Sequence, residues 1–142
     1  MKIAVVDGQG GGIGRLIVER LRQELGDNCH ILALGTNAVA SSLMLKAGAN
    51  EGASGENAIV RGCTRVDVII GSVAIVAANS YLVELTPCMA EAIASAQAVK
   101  VLLPLNRYNL EICGVYDQPL PMQVNGLVAR VREIYQGSLA GG

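Results

Sequence analysis

Short β-branched apolar runs alternate with helical stripes along the whole chain. Lys2–Val6 (KIAVV) reads as a strand buried on both faces. After a glycine-rich turn, Ile13, Leu16, Ile17, Leu21 and Leu25 recur at helical spacing, and Glu19, Arg22, Gln23 and Glu24 take the opposite face. Gly26 ends that helix. His30–Leu34 predicts a second strand closed by Gly35, and Thr36 or Asn37 caps a helix reaching Lys46, with Gly48 as its stop. Asn50–Ser54 predicts a short third strand, and Ser54, Glu56 and Asn57 open a brief helical segment. Val66–Ile70 (VDVII) is a fourth strand ended by Gly71. Thr86 before Pro87 places a cap and a first-turn proline at the start of a helix that reaches Ala96. Val99–Leu103 is a fifth strand ended by Pro104, and Leu110–Val115 predicts a sixth. In the last helix Val124, Leu127, Val128, Val131 and Tyr135 share one face, and Gly137–Gly142 is expected to fray as a flexible tail.

Strands alternating with helices predict an α/β domain, a three-layer, Rossmann-like, doubly wound parallel sheet. The expected strand order is 3-2-1-4-5, with the sixth strand as an extension. Residues 1–136 form one domain with no internal repeat or linker. Composition narrows the partners. Hydrophobic residues make up 51% of the 142 and charged residues 16%, with no Trp or Phe and a net charge of −1. A base-stacking platform and a basic footprint are both missing, so neither nucleic acid nor an anionic membrane is an expected partner. The apolar run after Lys2 is too short for a leader, and the uncharged stretch Val68–Val83 too short to span a bilayer. A cytoplasmic location is expected, and the apolar content suggests a homo-oligomer. Cys29, Cys63, Cys88 and Cys113 form no metal-ligand spacing with the single histidine, His30, and are read as buried or half-buried apolar side chains.

The strongest chemical signal is Gly8, Gln9, Gly10, Gly11, Gly12, Ile13 and Gly14, between a strand and an amphipathic helix. Missing side chains let a pyrophosphate approach the backbone, where free N–H groups and the helix dipole face it. The spacing G-x-G-x-x-G fails at Ile13, and a Walker A loop fails because no Lys-Ser or Lys-Thr follows. The spacing G-x-x-x-G-I-G fits Gly8, Gly12, Ile13 and Gly14. It resembles the loop of short-chain dehydrogenases/reductases, which implies NAD(H) or NADP(H) binding; Asp7 stands where that family usually has Thr. The carboxylate expected near the end of strand two to hold a ribose is replaced by Thr36 and Asn37. NADP or another nucleotide is therefore the expected cofactor. Further candidates beyond the strand ends are Gly71, Ser72, Asn106 and Arg107. Asn79-Ser80, in an apolar run, is read as bonding to backbone or a neighbouring loop, with a ligand contact as the alternative.

The same family works with a Tyr and a Lys four residues later. Here Tyr81, Tyr108, Tyr116 and Tyr135 are followed at that distance by Leu85, Ile112, Leu120 and Leu139. No catalytic residue and no metal ligand is assigned. Across nearly its whole length, through DGQGGGIG (Asp7–Gly14), the stretch Ala33–Val60, the stretch Ala78–Ile93 and LLPLNRYNLEICGV (Leu102–Val115), the sequence is similar to small bacterial proteins grouped as a domain of unknown function (family 3842). That resemblance implies no activity. The first expectation is a nucleotide-binding sensor or regulatory partner. The alternatives are a minimal NADP-dependent oxidoreductase completed by oligomerisation and a ligand-free assembly protein.

Overall fold

The computed structural model describes residues 1–141. Strands β1 (Lys2–Asp7), β2 (His30–Gly35), β3 (Glu51–Ser54), β4 (Val68–Ser72) and β5 (Val99–Leu103) form one parallel sheet in the order β3-β2-β1-β4-β5. This is the expected doubly wound, Rossmann-like order. Strand alternation builds two cores from β1: Ile3 and Val5 enter one, Ala4 and Val6 the other. Helices α1 (Gly12–Leu25), α2 (Ala38–Lys46) and α5 (Leu120–Ala140) contribute to the first core, α3 (Glu56–Gly62) and α4 (Pro87–Ser95) to the second. The chain leaves β1 for β2 on one side and resumes at β4 on the other. A crevice therefore opens beyond the C-terminal ends of β1 and β4.

Local signals fix the ends of the elements around that crevice. Ile17, Val18, Leu21 and Leu25 of α1 are buried, each contributing roughly 1.5–3 kcal/mol. Gly26 ends the helix with φ +53°. The Arg22 guanidinium donates to the carbonyls of Gly48, Gly26 and Cys29, tying the end of α1 to the turns before β2 and β3. Asn37 caps α2 through the Ala40 amide, and Thr86 caps α4 through the Met89 amide with Pro87 in the first turn.

Four expectations are corrected. The sheet has five strands, and Leu110–Val115 is not a sixth. Tyr108 and Asn109 take φ of +56° and +62°, and Asn106 Oδ1 accepts the Ile112 amide. The segment is bent onto the second core instead of extended along β5. The expected frayed tail is helical to Ala140, because local bonds carry a helix past its core contacts; Ser138 Oγ donates to the Tyr135 carbonyl and the Gly141 amide to the Gly137 carbonyl. The tail's last residue, Gly142, lies outside the described residues. Gly71 does not end the fourth strand, which runs to Ser72, since its bare Cα lets β4 pass close to the Val6 carbonyl. Cys29 and Cys63 are buried, but Cys88 and Cys113 are exposed, on the outer side of α4 and in the bent segment. Among the described residues no helix is long and apolar enough to cross a membrane.

Candidate functional site

The loop from Asp7 to Gly14 turns β1 into α1 within a few residues. The Gly11 amide donates to the Gly8 carbonyl at 3.0 Å, closing a tight turn. Gly11, the residue before α1, has φ +76°, a left-handed value that costs a residue with a side chain and costs glycine nothing. It brings no side chain to cap the helix. Asp7 does so from beneath: its Oδ1 accepts the Gly8 amide at 2.8 Å and its Oδ2 the Gly14 amide at 2.7 Å. Burial pushes this carboxyl above the usual carboxylate range, with the charge of Glu84 adding; the two amide bonds and the Arg107 charge oppose the shift.

The five loop glycines divide into two kinds. A Cβ on Gly8 would lie 2.7 Å from Thr36 Oγ1 and 2.8 Å from the Tyr81 ring. On Gly11 it would meet the Ala40 backbone at 2.8 Å, and on Gly14 it would meet Met44 Sδ at 2.5 Å. Those three are required by packing. A Cβ on Gly10 or Gly12 would meet nothing within 4 Å, and neither residue has a left-handed φ. Both border an open cleft of about 420 Å³, walled also by Arg15, Tyr81, Arg107 and Tyr108. The amides of Gly10, Gly12 and Ile13 donate to no group among the described residues. Arg107, exposed, forms no ion pair among them, and Arg15 pairs with Glu19 at 3.0 Å. The cleft thus offers free amides and two cations, with a buried carboxyl beneath its floor.

At the side of the loop stands a group that the spacing of the sequence did not indicate. Glu84, in the segment between β4 and α4, places Oε1 against three donors: the Gln9 amide at 2.9 Å, Thr36 Oγ1 at 2.6 Å and Asn37 Nδ2 at 2.9 Å. Burial acts to raise this carboxyl, but the hydrogen bonds from Thr36, the Gln9 amide and Asn37 outweigh it and hold it below the usual range. Asn37 Nδ2 also donates to the Gln9 carbonyl at 3.0 Å. Gln9 in turn accepts the Tyr108 hydroxyl at 2.9 Å on Oε1, and the Tyr108 ring lies 5.0 Å from that of Tyr81.

The remaining predicted residues have structural duties. Thr36 and Asn37 do converge beside the loop, both engaged by Glu84. Gly71 packs against Val6 and Ile75. Ser72 Oγ is buried, accepts the Ala74 amide and shares a 3.0 Å hydrogen bond with the Tyr81 hydroxyl. Asn106 pins the bent segment, away from the cleft that its neighbour Arg107 lines. Ser80 Oγ donates to the Ala74 carbonyl, a bond to backbone of the kind expected there. Burial and the Asp7 charge push the Tyr81 phenol well above its ordinary pKa, with the Ser72 bond opposing. No metal-ligating cluster occurs among the described residues.

Comparison with curated proteins gives no match. The family model described as "Domain of unknown function (DUF3842)" matches residues 2–136, a span that takes in the loop, the Glu84 segment and the bent segment after β5, and the chain belongs to that family.

Proposed function

We propose that the protein binds a nucleotide at Gly8–Gly14 and acts as a sensor or regulatory partner, without a catalytic group of its own. The observation that carries the reading is the pair Gly10 and Gly12. Neither backbone conformation nor packing requires glycine there, and both face the cleft beside unbonded amides. A phosphate lying against the backbone supplies the missing requirement, since a side chain at either position would take its space. Arg15 and Arg107 add positive charge at the same wall. The reading assigns no chemistry to the cleft. Asp7 is committed to two amides, and a phenol raised by burial, as in Tyr81, is a poor proton donor at neutral pH. Native mass spectrometry of freshly purified protein tests the proposal. A retained nucleotide, or binding of added ADP or NADH, is expected; no adduct under either condition refutes it.

A second reading, assembly through the same end of the sheet, is favoured by Leu82 and Val83, 74% and 71% exposed, and by Tyr116, 85% exposed. All three follow C-terminal strand ends. Light scattering of wild type and Leu82→Ser checks it: a monomeric wild type removes this reading and leaves the nucleotide site untouched.

A further inference from the structure

Thr36 and Asn37 stand where a doubly wound domain holds the ribose of a bound nucleotide, just past the end of β2. From the sequence both are donors, suited to a 2′-phosphate. In the folded chain both have already donated to Glu84 Oε1, together with the Gln9 amide. Glu84 Oε2 has no partner among the described residues, and it is not a buried orphan. The position therefore presents a charged acceptor. An acceptor suits a hydroxyl and repels a phosphate.

The segment that delivers Glu84 is built against the grain of the backbone. Tyr81, Leu82 and Val83 take φ of +55°, +52° and +65° in succession. Left-handed values cost about 1–2 kcal/mol for each residue with a side chain, most for a β-branched one such as Val83. The turn is held by its flanks. Tyr81 and Leu85 are buried in the second core, the Asn79 amide donates to the Leu85 carbonyl at 2.7 Å, and Ser80 Oγ bonds Ala74. Backbone strain of this kind persists where the surrounding structure over-determines it, and it collects at binding sites. What the strained turn accomplishes here is to set one carboxylate on the three donors beside the glycine loop.

We infer that Glu84 is the specificity-determining residue of the site. Its carboxylate accepts the ribose hydroxyls of a nucleotide with an unmodified ribose and rejects the 2′-phosphorylated form. The inference rests on the nucleotide reading and sharpens it: the ligand class is NAD(H) or an ADP-like nucleotide, in place of the NADP that Thr36 and Asn37 alone suggest.

Isothermal titration of NADH and NADPH, which differ only in the 2′-phosphate, tests this on the whole chain. Wild type is expected to bind NADH at least roughly tenfold more tightly. Glu84→Gln keeps an acceptor for Thr36 and the Gln9 amide but removes the charge, and it is expected to shrink that ratio several-fold. Equal binding of the two by wild type, tighter binding of NADPH, or a ratio unchanged in a folded Glu84→Gln protein overturns the inference and leaves nucleotide binding standing. Should Glu84→Gln not fold, the wild-type ratio decides alone. Binding of neither dinucleotide overturns this inference, and overturns the reading it rests on only if ADP also fails to bind and no nucleotide is retained on purification.

Discussion

Alanine at Gly14 and at Gly12 should have opposite effects on stability, because only Gly14 is required by the fold. At Gly14 the new Cβ would lie 2.5 Å from Met44 Sδ and 2.9 Å from Asp7 Cβ. Met44 is fully buried, so its side chain has no solvent to retreat into. Overpacking of this kind costs about 1–3 kcal/mol. It also displaces the Asp7 carboxyl from the Gly14 amide, a hydrogen bond to a charged group worth about 1.5–3 kcal/mol. Against this, alanine gains up to about 1 kcal/mol of helix propensity. The net expectation is a loss of about 2–4 kcal/mol. For a domain of this size that lowers Tm by about 6–12 °C. At Gly12 the Cβ meets open space and only the propensity gain remains, so Tm should hold or rise slightly. Thermal unfolding followed by circular dichroism reads both. Equal losses at the two positions would refute the division of the loop into packing glycines and cleft-facing glycines.

Asp7→Asn leaves one of the Gly8 and Gly14 amides facing a donor, and should cost about 1–3 kcal/mol by urea unfolding at neutral pH. Because burial raises the folded Asp7 pKa above 3.8, the native state holds its proton longer than the unfolded chain. The stabilisation from this group is therefore full below pH 3.8, falls as pH rises to the folded pKa, and is flat above it; a wild-type minus Asp7→Asn difference that grows with pH across that window contradicts the assignment. Tyr81→Phe should leave any oxidation of NADH or NADPH by the protein unchanged, and a loss of about a hundredfold or more would reveal a general acid there. Iodoacetamide should label Cys88 and Cys113 quickly in the folded protein and leave Cys63, buried with its thiol pushed up to about 11, unmodified; mass mapping of the labelled peptides shows which reacted.

The strand order and the placement of the loop were legible because each depends on local pattern. β1 and β4 announce themselves as β-branched runs, and Asn37, Thr86 and Pro87 carry helix starts in their own chemistry. The errors at Leu110–Val115 and Gly137–Ala140 each come from a local signal that tertiary packing or hydrogen bonding decides. Apolar alternation cannot tell an edge strand from a bent segment that drops Leu110 onto a core, and a glycine near a helix end stops the helix only where a turn is also formed. Part of the loop was readable too, since five closely spaced glycines exceed what a turn needs. Which of them serve packing was not, because the atoms that meet Gly8, Gly11 and Gly14 belong to Tyr81, Ala40 and Met44. Glu84 was the least accessible of all. It lies 48 residues from Thr36 in the chain and 75 from Gln9, and it reaches them only because β4 returns beside β1 and a left-handed turn redirects the backbone. No periodicity or motif marks such a residue.

Phosphate binding at the cleft wall formed by Gly10, Gly12 and Ile13 is read by titrating NADH into wild type and Gly12→Asp. The aspartate enters open space in the first turn of α1, where a negative charge favours the helix by about 0.3–1 kcal/mol, so the variant is expected to fold. The same charge stands where the phosphates of the ligand would meet the free amides. Wild type is expected to bind NADH, and folded Gly12→Asp to bind it at least about tenfold more weakly, a difference of about 1.4 kcal/mol or more. A folded Gly12→Asp protein with undiminished affinity, or a wild type that binds no NADH and no ADP, would contradict phosphate binding at this wall.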